Sequence, residues 1–402
     1  MLDKQFLFIL LQNVFIGICS LIDTGFGNNI DLDSVCVLSA FTVITWATTN
    51  LCTIGSYAYR VVLDKGKTCI YINLAIAIIL GAIVYLISPI VPHLYYLTDS
   101  QYMLFEQCLK IHAFSLPILA IGDFINSYVV LLCKNKISII GNIILYAIMI
   151  VTDALVVHYN GTLVHIIECT LISWLIYDIY GIITSGIVKE KFKFNCNEIK
   201  NLLKHGVNIC CSSFTAKIAT IIFNIYASKL GTRDYSIHAV CYALGIFTEN
   251  FTNALFTYET IVVAVKKKGL EKFQYCVAIA KKYAVFLVVF SYITSYAILV
   301  FTHGTISLRS CIPYAALYCT EIFVLLFYEP MRAYLTSEQQ TKYLRYGGLF
   351  GFIVRLPIAI GGYYLGIGLT SFAIACTIDY GVRGLYMYKC SVKVKNQIEN
   401  SL

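Results

Sequence analysis

Residues 189–204, KEKFKFNCNEIKNLLK, form the longest polar interval in a chain that is otherwise mostly apolar. Long apolar segments lie on both sides of this interval, and the parts before and after it look like two copies of one unit. We therefore predict an N-terminal lobe, residues 1–188, and a C-terminal lobe, residues 205–402, joined by a cytoplasmic linker of residues 189–204.

The composition is typical of a membrane protein. Of the 402 residues, 59% are apolar and 13% are charged, and the mean hydropathy is +0.76. A soluble domain is about a quarter charged, and a helix needs about 20 apolar residues to cross a bilayer. We predict an all-α polytopic membrane protein without a sizeable soluble domain. The first apolar segment has no signal-peptide cleavage pattern, so we expect it to be retained as a span.

Twelve apolar segments are candidates for transmembrane helices. They comprise residues 6–26, 35–60, 70–92, 112–133, 137–157, 162–187, 205–229, 236–265, 283–302, 312–335, 345–365 and 367–388. The second and the eighth of these segments contain many polar residues.

The distribution of basic residues supports this topology. With both termini in the cytoplasm, the cytoplasmic segments hold 23 of the 30 Lys and Arg residues, the outer segments hold four, and three lie within spans. This count assigns the basic residues near the ends of spans to the flanking segments: Arg60, Lys229, Arg332 and Arg345. This asymmetry follows the positive-inside rule and requires an even number of crossings. The net charge of +8 is therefore a topology signal, and we expect no nucleic-acid partner.

The second and eighth spans are similar in sequence. Aligning residues 45–77 with residues 248–280 at a constant offset of 203 gives nine identities in 33 positions, including Asn50 with Asn253 and a shared Lys-Gly turn. The repeating unit is therefore six helices long, and such a unit ends on the side of the membrane where it began. The sequence predicts two six-helix lobes, related by a pseudo-two-fold axis along the membrane normal, that flank a central cleft.

Ten acidic residues lie within the predicted spans, where only three basic residues accompany them. The acids are Asp23, Asp123, Asp153, Glu168, Asp178, Glu249, Glu259, Glu321, Glu329 and Asp379. An acid at the centre of a membrane helix costs about 2.5–3.5 kcal/mol, so each needs a partner, water or a function. The excess of acids makes the interior attractive to cations and offers carboxyl groups that exchange protons.

Asp23 and Asp153 are the candidate residues for cation or proton coupling. Asp23 closes the first span in the sequence CSLIDTGFG and lies in the outer half of the membrane, where it faces either the cleft or the interface. Asp153 is near the end of the fifth span, and two neighbouring carboxylates would favour one shared proton or a bound cation. The sequence leaves open whether the two side chains meet.

Further polar residues within the spans are candidates for lining the cleft. They are Asn50, Asp123, Asp178, Lys217, Glu249 and Asn253. Polar stripes on membrane helices face a bundle interior or a water-filled cavity, so structural packing is the alternative for each residue. Lys217 is a candidate partner of Glu249 or Glu321. Asp379 and Arg383, four residues apart, suggest a packing salt bridge.

The chain shows no enzyme motif, since paired His and Glu ligands, G-x-S-x-G and a P-loop are all missing from the sequence. The sixteen cysteines include no C-x-x-C pair, so we expect neither a metal site nor a disulfide framework. We predict that the protein is not an enzyme and has no cofactor, with H⁺ or Na⁺ as its coupling ion.

Four features resemble the multidrug and toxic compound extrusion (MATE) family. They are LIDTGFG at residues 21–27, the Lys-Gly turn after spans two and eight, HGVNICCSSFTAKIATIIFNIYASKLG at residues 205–231, and RLPIAIGGYYLGIGLTSFAIA at residues 355–375. Their order and the six-helix repeat extend the resemblance over nearly the whole chain. The resemblance implies a V-shaped pair of six-helix lobes and an antiporter that exports organic cations in exchange for Na⁺ or H⁺.

The resemblance also implies roles for single residues. Asp23 would be the cation site of the first lobe. Some relatives carry Asn-x-x-x-Asp in the fifth helix, and here Asp153 is preceded by Met149, which offers no hard oxygen ligand for Na⁺. Some relatives also carry an acid early in the seventh helix. This chain has Ala216 and Lys217 there, so we expect no second cation site of that type.

The sequence favours a secondary antiporter of the multidrug efflux type, which exports a cationic or amphipathic small molecule in exchange for H⁺ or Na⁺ and acts in xenobiotic transport. A flippase for a lipid-linked saccharide is the alternative from the same superfamily, although its anionic headgroup would need a basic cleft. A membrane scaffold would have no need for so many buried acids. We expect a monomer in the plasma membrane, with both termini cytoplasmic, whose partners are its substrate and the lipid bilayer.

Overall fold

The computed structural model describes residues 3–62, 65–132, 134–189, 195–266, 270–303 and 306–400. Within these ranges the regular structure consists of fourteen α-helices and two short 3-10 turns, at Val91–Leu94 and Ile187–Lys189. The helices are α1 (Lys4–Asn28), α2 (Leu32–Cys52), α3 (Ile54–Val62), α4 (Gly66–Ile87), α5 (Asp99–Leu131), α6 (Asn135–His158), α7 (Leu163–Ser185), α8 (Cys196–Ser228), α9 (Thr232–Lys266), α10 (Leu270–Thr302), α11 (Leu308–Cys319), α12 (Glu321–Ser337), α13 (Lys342–Tyr364) and α14 (Leu369–Glu399).

The described helices coincide with the predicted spans. Nine helical segments of the described chain are long and apolar enough to cross a membrane: α2, α4, α5, α6, α7, α8, α10, α11 together with α12, and α13. When α2 and α3 are taken as one interrupted span and α11 and α12 as another, the fourteen helices match the twelve predicted spans one by one. The predicted all-α polytopic fold is therefore confirmed.

The second predicted span is interrupted at Thr53, between α2 and α3. The Thr53 hydroxyl donates a hydrogen bond to the Asn50 carbonyl oxygen at 2.8 Å. The side-chain oxygen of Asn73 accepts the backbone N–H groups of Gly55 and Ser56 at 2.6 and 3.3 Å. Because the first N–H groups of a helix have no intrahelical acceptor, Asn73 supplies the partner that the start of α3 requires.

The tenth predicted span is interrupted at Thr320, between α11 and α12. Its hydroxyl donates to the Leu317 carbonyl oxygen at 2.6 Å. Pro313 lies inside α11 and Pro330 inside α12, and each proline removes one backbone donor from its helix.

Glycines allow α3 to pack closely against α4 and α8. A Cβ atom added to Gly55 of α3 would overlap the carbonyl oxygen of Cys69 on α4. A Cβ atom added to Gly206 of α8 would overlap the carbonyl oxygen of Ile54 on α3. Small residues let membrane helices approach closely, so α3 is fixed on two sides by contacts that a larger side chain would prevent.

The described residues form two compact units. The continuous unit comprises Ile22–Tyr235, and the split unit combines Met1–Leu21 with Ser236–Leu402. Helix α8 belongs to the continuous unit, whereas the predicted lobes place it in residues 205–402. The unit boundaries therefore differ from the predicted lobe boundaries, and the lobes stay a prediction.

The core of the continuous unit is formed by α2, α5 and α7. Val37 and Phe41 of α2, Phe105 and Leu109 of α5, and Leu163 of α7 belong to one buried cluster. Membrane helices associate through van der Waals packing rather than through removal of apolar surface from water, so the contacts of this cluster hold the three helices together.

Large apolar side chains remain exposed on other helix faces. On α4, the exposed fractions of Ile78, Ile79 and Leu86 are 57%, 62% and 73%. Contiguous apolar patches of this kind are rare on soluble monomers, whereas lipid solvates them without cost. The exposed face of α4 thus fits a multi-pass membrane protein.

Candidate cation and proton sites

The predicted coupling residues Asp23 and Asp153 lie on α1 and α6. The side chain of Asp23 lies outside the described residues, so its role and its approach to Asp153 stay predictions. Asp153 is fully buried, with an exposed fraction of 0%. Cys169 of α7 lies within electrostatic reach of Asp153 and is hydrogen-bonded to Thr152. The Asp153 carboxyl group is therefore enclosed where α6 packs against α7.

Asn50 and Lys217, two predicted cleft-lining residues, are half-buried in the continuous unit. The Asn50 amide donates to the Tyr57 hydroxyl at 2.8 Å, and the Cys210 thiol lies 3.3 Å from the Asn50 carbonyl oxygen. Lys217 Nζ lies 5.1 Å from the centroid of the Trp46 ring. A cation over an aromatic face is stabilised by the quadrupole of the ring. Asn50 thus links α2 to α3 and α8, and Lys217 links α8 to α2.

Asp123 belongs to a polar cluster that we name the Asp123 site, defined as Ser56, Arg60, Asn73 and Asp123. Asp123 is hydrogen-bonded to the Ser56 hydroxyl and lies within electrostatic reach of Arg60. Asn73 donates to Ser56 Oγ at 2.9 Å, and Arg60 donates to Ser127 Oγ at 3.4 Å. The acid therefore has both a hydrogen-bond donor and a cation, and its charge is balanced within the site.

Asp178 is buried where α7 meets α5, and its exposed fraction is 4%. A Cβ atom added to Gly122 of α5 would lie 2.7 Å from Asp178 Oδ1 and 2.5 Å from the Trp174 ring. Asp178 Oδ1 has no hydrogen-bond partner in the described part of the chain. Asp178 and Asp123 both act electrostatically on Tyr177. Two of the predicted cleft-lining acids are therefore neighbours across the contact between α5 and α7.

Glu249 and Asn253 lie one helical turn apart on α9, in the split unit, and both are half-buried. The Tyr380 hydroxyl donates to Glu249 Oε1 at 2.9 Å. Glu321 of α12 has an exposed fraction of 3% and lies within electrostatic reach of Glu249. The sequence indicated Glu321 as an acid within a span, but only helix packing reveals that it forms a pair with Glu249.

Asp379 is fully buried between two arginines. It accepts hydrogen bonds from Nε and Nη2 of Arg383, and Arg355 Nη1 lies 3.3 Å from its Oδ2 atom. Arg355 Nη2 also lies 2.8 Å from Cys376 Sγ. The predicted salt bridge of Asp379 with Arg383 is therefore present, and Arg355 extends it. Glu321 lies within electrostatic reach of Arg355 and balances the second positive charge.

Several carboxyl groups of the described chain lie near a second acid, as Asp178 does near Asp123 and Glu249 near Glu321. No group of three or more His, Cys, Asp or Glu side chains in the described ranges is arranged to hold a metal ion. Two neighbouring carboxyl groups can share a proton or bind a monovalent cation, because either one reduces their repulsion.

Several solved transporter structures have the same fold at low sequence identity. A MOP superfamily transporter from Pyrococcus furiosus, described as having a binding pocket of reverse polarity that suggests a different function, matches with a TM-score of 0.77 at 14% identity, over 98% of this chain and 96% of its own. A MATE structure in complex with MaL6 matches with a TM-score of 0.77 at 13% identity, over 99% and 97% of the two chains. An outward-facing multidrug resistance MATE family transporter matches with a TM-score of 0.75 at 14% identity, over 98% and 96%.

At the level of sequence, no family model and no curated protein matches the chain. The structural likeness covers nearly the whole length of each chain, so it concerns the entire succession of helices. The chain therefore has the fold of the MATE transporters of the MOP superfamily.

Proposed function

We propose that this chain is a secondary antiporter that exports a cationic or amphipathic small molecule in exchange for H⁺ or Na⁺. The observation that carries this proposal is the charge of the buried interior. Among the described side chains, six buried carboxyl groups stand against two buried guanidinium groups. They are Asp153, Asp178, Glu259, Glu321, Glu329 and Asp379, with Arg355 and Arg383.

An interior with more carboxyl groups than cations favours the entry of positive charge. Removing an ion from water costs several kcal/mol even after the protein relaxes, and an unpaired buried charge is strongly destabilising. A proton, a monovalent cation or a cationic substrate reduces this cost when it binds. An anionic substrate would increase it, so the interior is suited to cations.

Asp23 and Asp153 are the proposed coupling residues. A ligand shifts a conformational equilibrium only by its differential affinity for the two states, and the coupling of two ligands is reciprocal. The burial of Asp153 supports its role, because a fully buried carboxyl group gains most from neutralisation. Binding of H⁺ or Na⁺ at these residues would favour one state, and the substrate would favour the other.

A flippase for a lipid-linked saccharide is the alternative function. Its anionic pyrophosphate headgroup would require basic groups in the interior. The two buried guanidinium groups, Arg355 and Arg383, are both bound to Asp379. The buried guanidinium groups described in the split unit are thus engaged by an acid, which favours the antiporter.

We place the protein in the plasma membrane as a monomer with both termini in the cytoplasm. The excess of Lys and Arg in the predicted cytoplasmic segments supports this orientation. One structural neighbour is described as a multidrug resistance transporter, and the acidic interior of this chain supports a similar role in the export of xenobiotic cations.

Transport by purified protein in proteoliposomes tests the proposal. Vesicles loaded with a cationic dye should release it under an imposed pH or Na⁺ gradient, well above the rate of protein-free vesicles. Lipid scrambling without dye efflux in the same vesicles would contradict the antiporter and favour the flippase. A folded protein that moves neither dye nor lipid would contradict both functions.

Substitution of the predicted coupling residue gives a sharper test. Asp23→Asn should abolish gradient-driven efflux and leave the amount of folded protein unchanged, because an amide neither exchanges a proton nor neutralises a cation. Glu399→Gln, which changes a carboxyl group that is 39% exposed, is the matched control and should retain efflux. Undiminished efflux by D23N would rule out the assigned role.

A further inference from the structure

Glu259 is a fully buried acid on α9, in the split unit, with an exposed fraction of 0%. Neither of its carboxyl oxygens has a hydrogen-bond partner among the residues that the structure describes. Buried polar groups are nearly always hydrogen-bonded, so two unbonded oxygens on one carboxyl group need an explanation.

Glu329 of α12 lies within electrostatic reach of Glu259 as a like charge. Glu329 is also buried, and Arg332 donates to both of its carboxyl oxygens at 3.1 Å. The guanidinium carbon of Arg332 lies 4.1 Å from the centroid of the Phe256 ring. This cation is therefore held by Glu329 and by stacking on Phe256.

Helix α10 brings Cys276 and Lys272 to the same region. The Cys276 thiol lies within electrostatic reach of both Glu259 and Lys272. Lys272 Nζ is bound to Glu338 Oε1 at 2.8 Å. The buried hydroxyl of Tyr334 on α12 lies within electrostatic reach of Cys276 and has no hydrogen-bond partner in the described ranges. Lys272 and Arg332, the basic groups described in this region, are thus engaged by Glu338 and Glu329.

We name Glu259, Cys276, Glu329 and Arg332 the Glu259 site. It contains two carboxyl groups and one guanidinium group, and the side chains of residues 261–270 lie outside the described residues. With both acids ionised, one negative charge would be uncompensated. When two carboxylates share a site, one of them takes up a proton readily. A proton on Glu259 removes the excess charge and leaves the pair of Glu329 with Arg332 intact.

We propose that Glu259 is a second proton-binding site, located in the split unit and distinct from Asp23 and Asp153. Its carboxylate forms an O–H bond with a proton from water, and the proton returns to water when the packing around Glu259 opens. Na⁺ fits less well, because Arg332 already binds both oxygens of Glu329. The part of this site in transport rests on the proposed function, whereas the protonation itself does not.

Infrared spectroscopy of the full chain in nanodiscs tests the protonation without a transport assay. The carbonyl stretch of a protonated carboxylic acid is resolved from the bands of carboxylates. The wild type should show such a band at neutral pH, and Glu259→Gln should reduce its area by the contribution of one acid. Glu399→Gln, which changes an exposed carboxyl group, should retain the full area. A band that is missing from the wild type, or unchanged in E259Q, would overturn the proposal.

A variant of the neighbouring acid tests the cause of the protonation. Glu329→Gln removes the like charge and releases Arg332, so the band should vanish at a lower pH than in the wild type. An identical titration in E329Q would show that the pairing of the two acids is not the cause. Loss of the wild-type band on addition of Na⁺ at constant pH would identify Na⁺ as the ligand and would also overturn the proposal.

Glu259→Met keeps the test valid if E259Q does not fold. If Glu259 is neutral, an apolar side chain of similar length should be accepted at this position. The thermal unfolding temperature of E259M should then be close to that of the wild type. Failure of both variants to fold would show that the position requires a charge. A protonated Glu259 in a protein that moves no dye would support this site and refute the proposed function, so the two failures are distinguishable.

Discussion

The Asp123 site and the Glu259 site lie at aligned positions of the predicted six-helix repeat, yet their chemistry differs. The offset of 203 that aligns the second and eighth spans pairs Ser56 with Glu259. The same offset pairs Asn73 with Cys276 on the following span. A hydroxyl and an amide in one repeat are therefore replaced by a carboxyl and a thiol in the other.

Each site also contains an acid from the fourth span of its repeat and one arginine. In the Asp123 site the acid is bonded to a serine hydroxyl and lies near the arginine. In the Glu259 site the arginine binds Glu329, and the second glutamate has no hydrogen-bond partner among the described residues. The first site is thus a balanced polar network, whereas the second contains a buried carboxyl group without a hydrogen-bond partner in the described chain, as the proposed proton site requires.

The same replacement explains the different shapes of the second and eighth spans. Asn73 accepts the backbone N–H groups of Gly55 and Ser56, which satisfies the start of α3 after the interruption. A thiol at Cys276 is a weak acceptor and offers no equivalent partner. Accordingly, α9 continues without a break through the aligned positions.

Removal of the arginine should have the largest effect and should separate the two sites. Arg332→Gln leaves two buried acids without a cation, so we expect a loss of about 3–5 kcal/mol in the free energy of unfolding at neutral pH. Because protonation removes the charges, the loss should shrink as the pH falls. Arg60→Gln should cost about 1 kcal/mol, because the serine hydroxyl still bonds the acid and Arg60 is half-buried.

Unfolding of both variants in detergent, followed at several pH values, measures these effects. Equal losses in R332Q and R60Q, or a loss in R332Q that does not depend on pH, would contradict the distinction between the two sites.

Close packing around α3 should be the next most sensitive feature. Gly206→Ala places a methyl group against the Ile54 carbonyl oxygen, and overpacking of this kind costs about 1–3 kcal/mol. Gly361→Ala on α13 is the matched control, because no atom lies within 4 Å of its added Cβ. The control should be neutral or stabilising by about 0.5–1 kcal/mol. Thermal unfolding of both variants measures these effects. An unfolding temperature of G206A equal to that of the wild type would show that close packing at Gly206 does not fix α3.

Loss of the serine hydroxyl should have the smallest effect. Ser56→Ala removes the hydrogen bond to Asp123 and should lower the free energy of unfolding by about 1 kcal/mol. Glu259→Met, at the aligned position, should change it by less, because it replaces a neutral acid that makes no hydrogen bond in the described chain. Chemical unfolding of the two variants provides the comparison, and a larger loss in E259M would indicate that Glu259 is ionised and paired.

The spans were predictable because they depend on hydropathy and on the positions of Lys and Arg, whereas the six-helix repeat stays a prediction from aligned identities. The interruption at Thr53 was not predictable, because it depends on the side chain of Asn73, which reaches the start of α3 from α4. The pair of Glu329 with Arg332 was missed for a different reason. The sequence boundary placed the acid within a span and the base in a cytoplasmic segment, although they are three residues apart on one helix.

The candidate site was predictable only in part. An excess of acids over bases in the spans is visible in the sequence, and the buried interior has the same excess among its described side chains. Which acids meet depends on helix faces. The sequence indicated Glu249 and Asn253 on α9, whereas the acid of α9 without a hydrogen-bond partner among the described residues is Glu259. The alignment at an offset of 203 was the signal that could have identified Glu259. It pairs Glu259 with Ser56, which is hydrogen-bonded to Asn73 of the third span.

Antiport requires that an outward gradient of the substrate alone drives the coupling ion inward. Proteoliposomes loaded with a cationic dye, without an imposed ion gradient, can be followed with a trapped pH indicator and a Na⁺ indicator. We predict that dye leaves the vesicles while H⁺ or Na⁺ enters, and that D23N shows neither movement. Dye efflux without entry of either ion would contradict the proposed antiport.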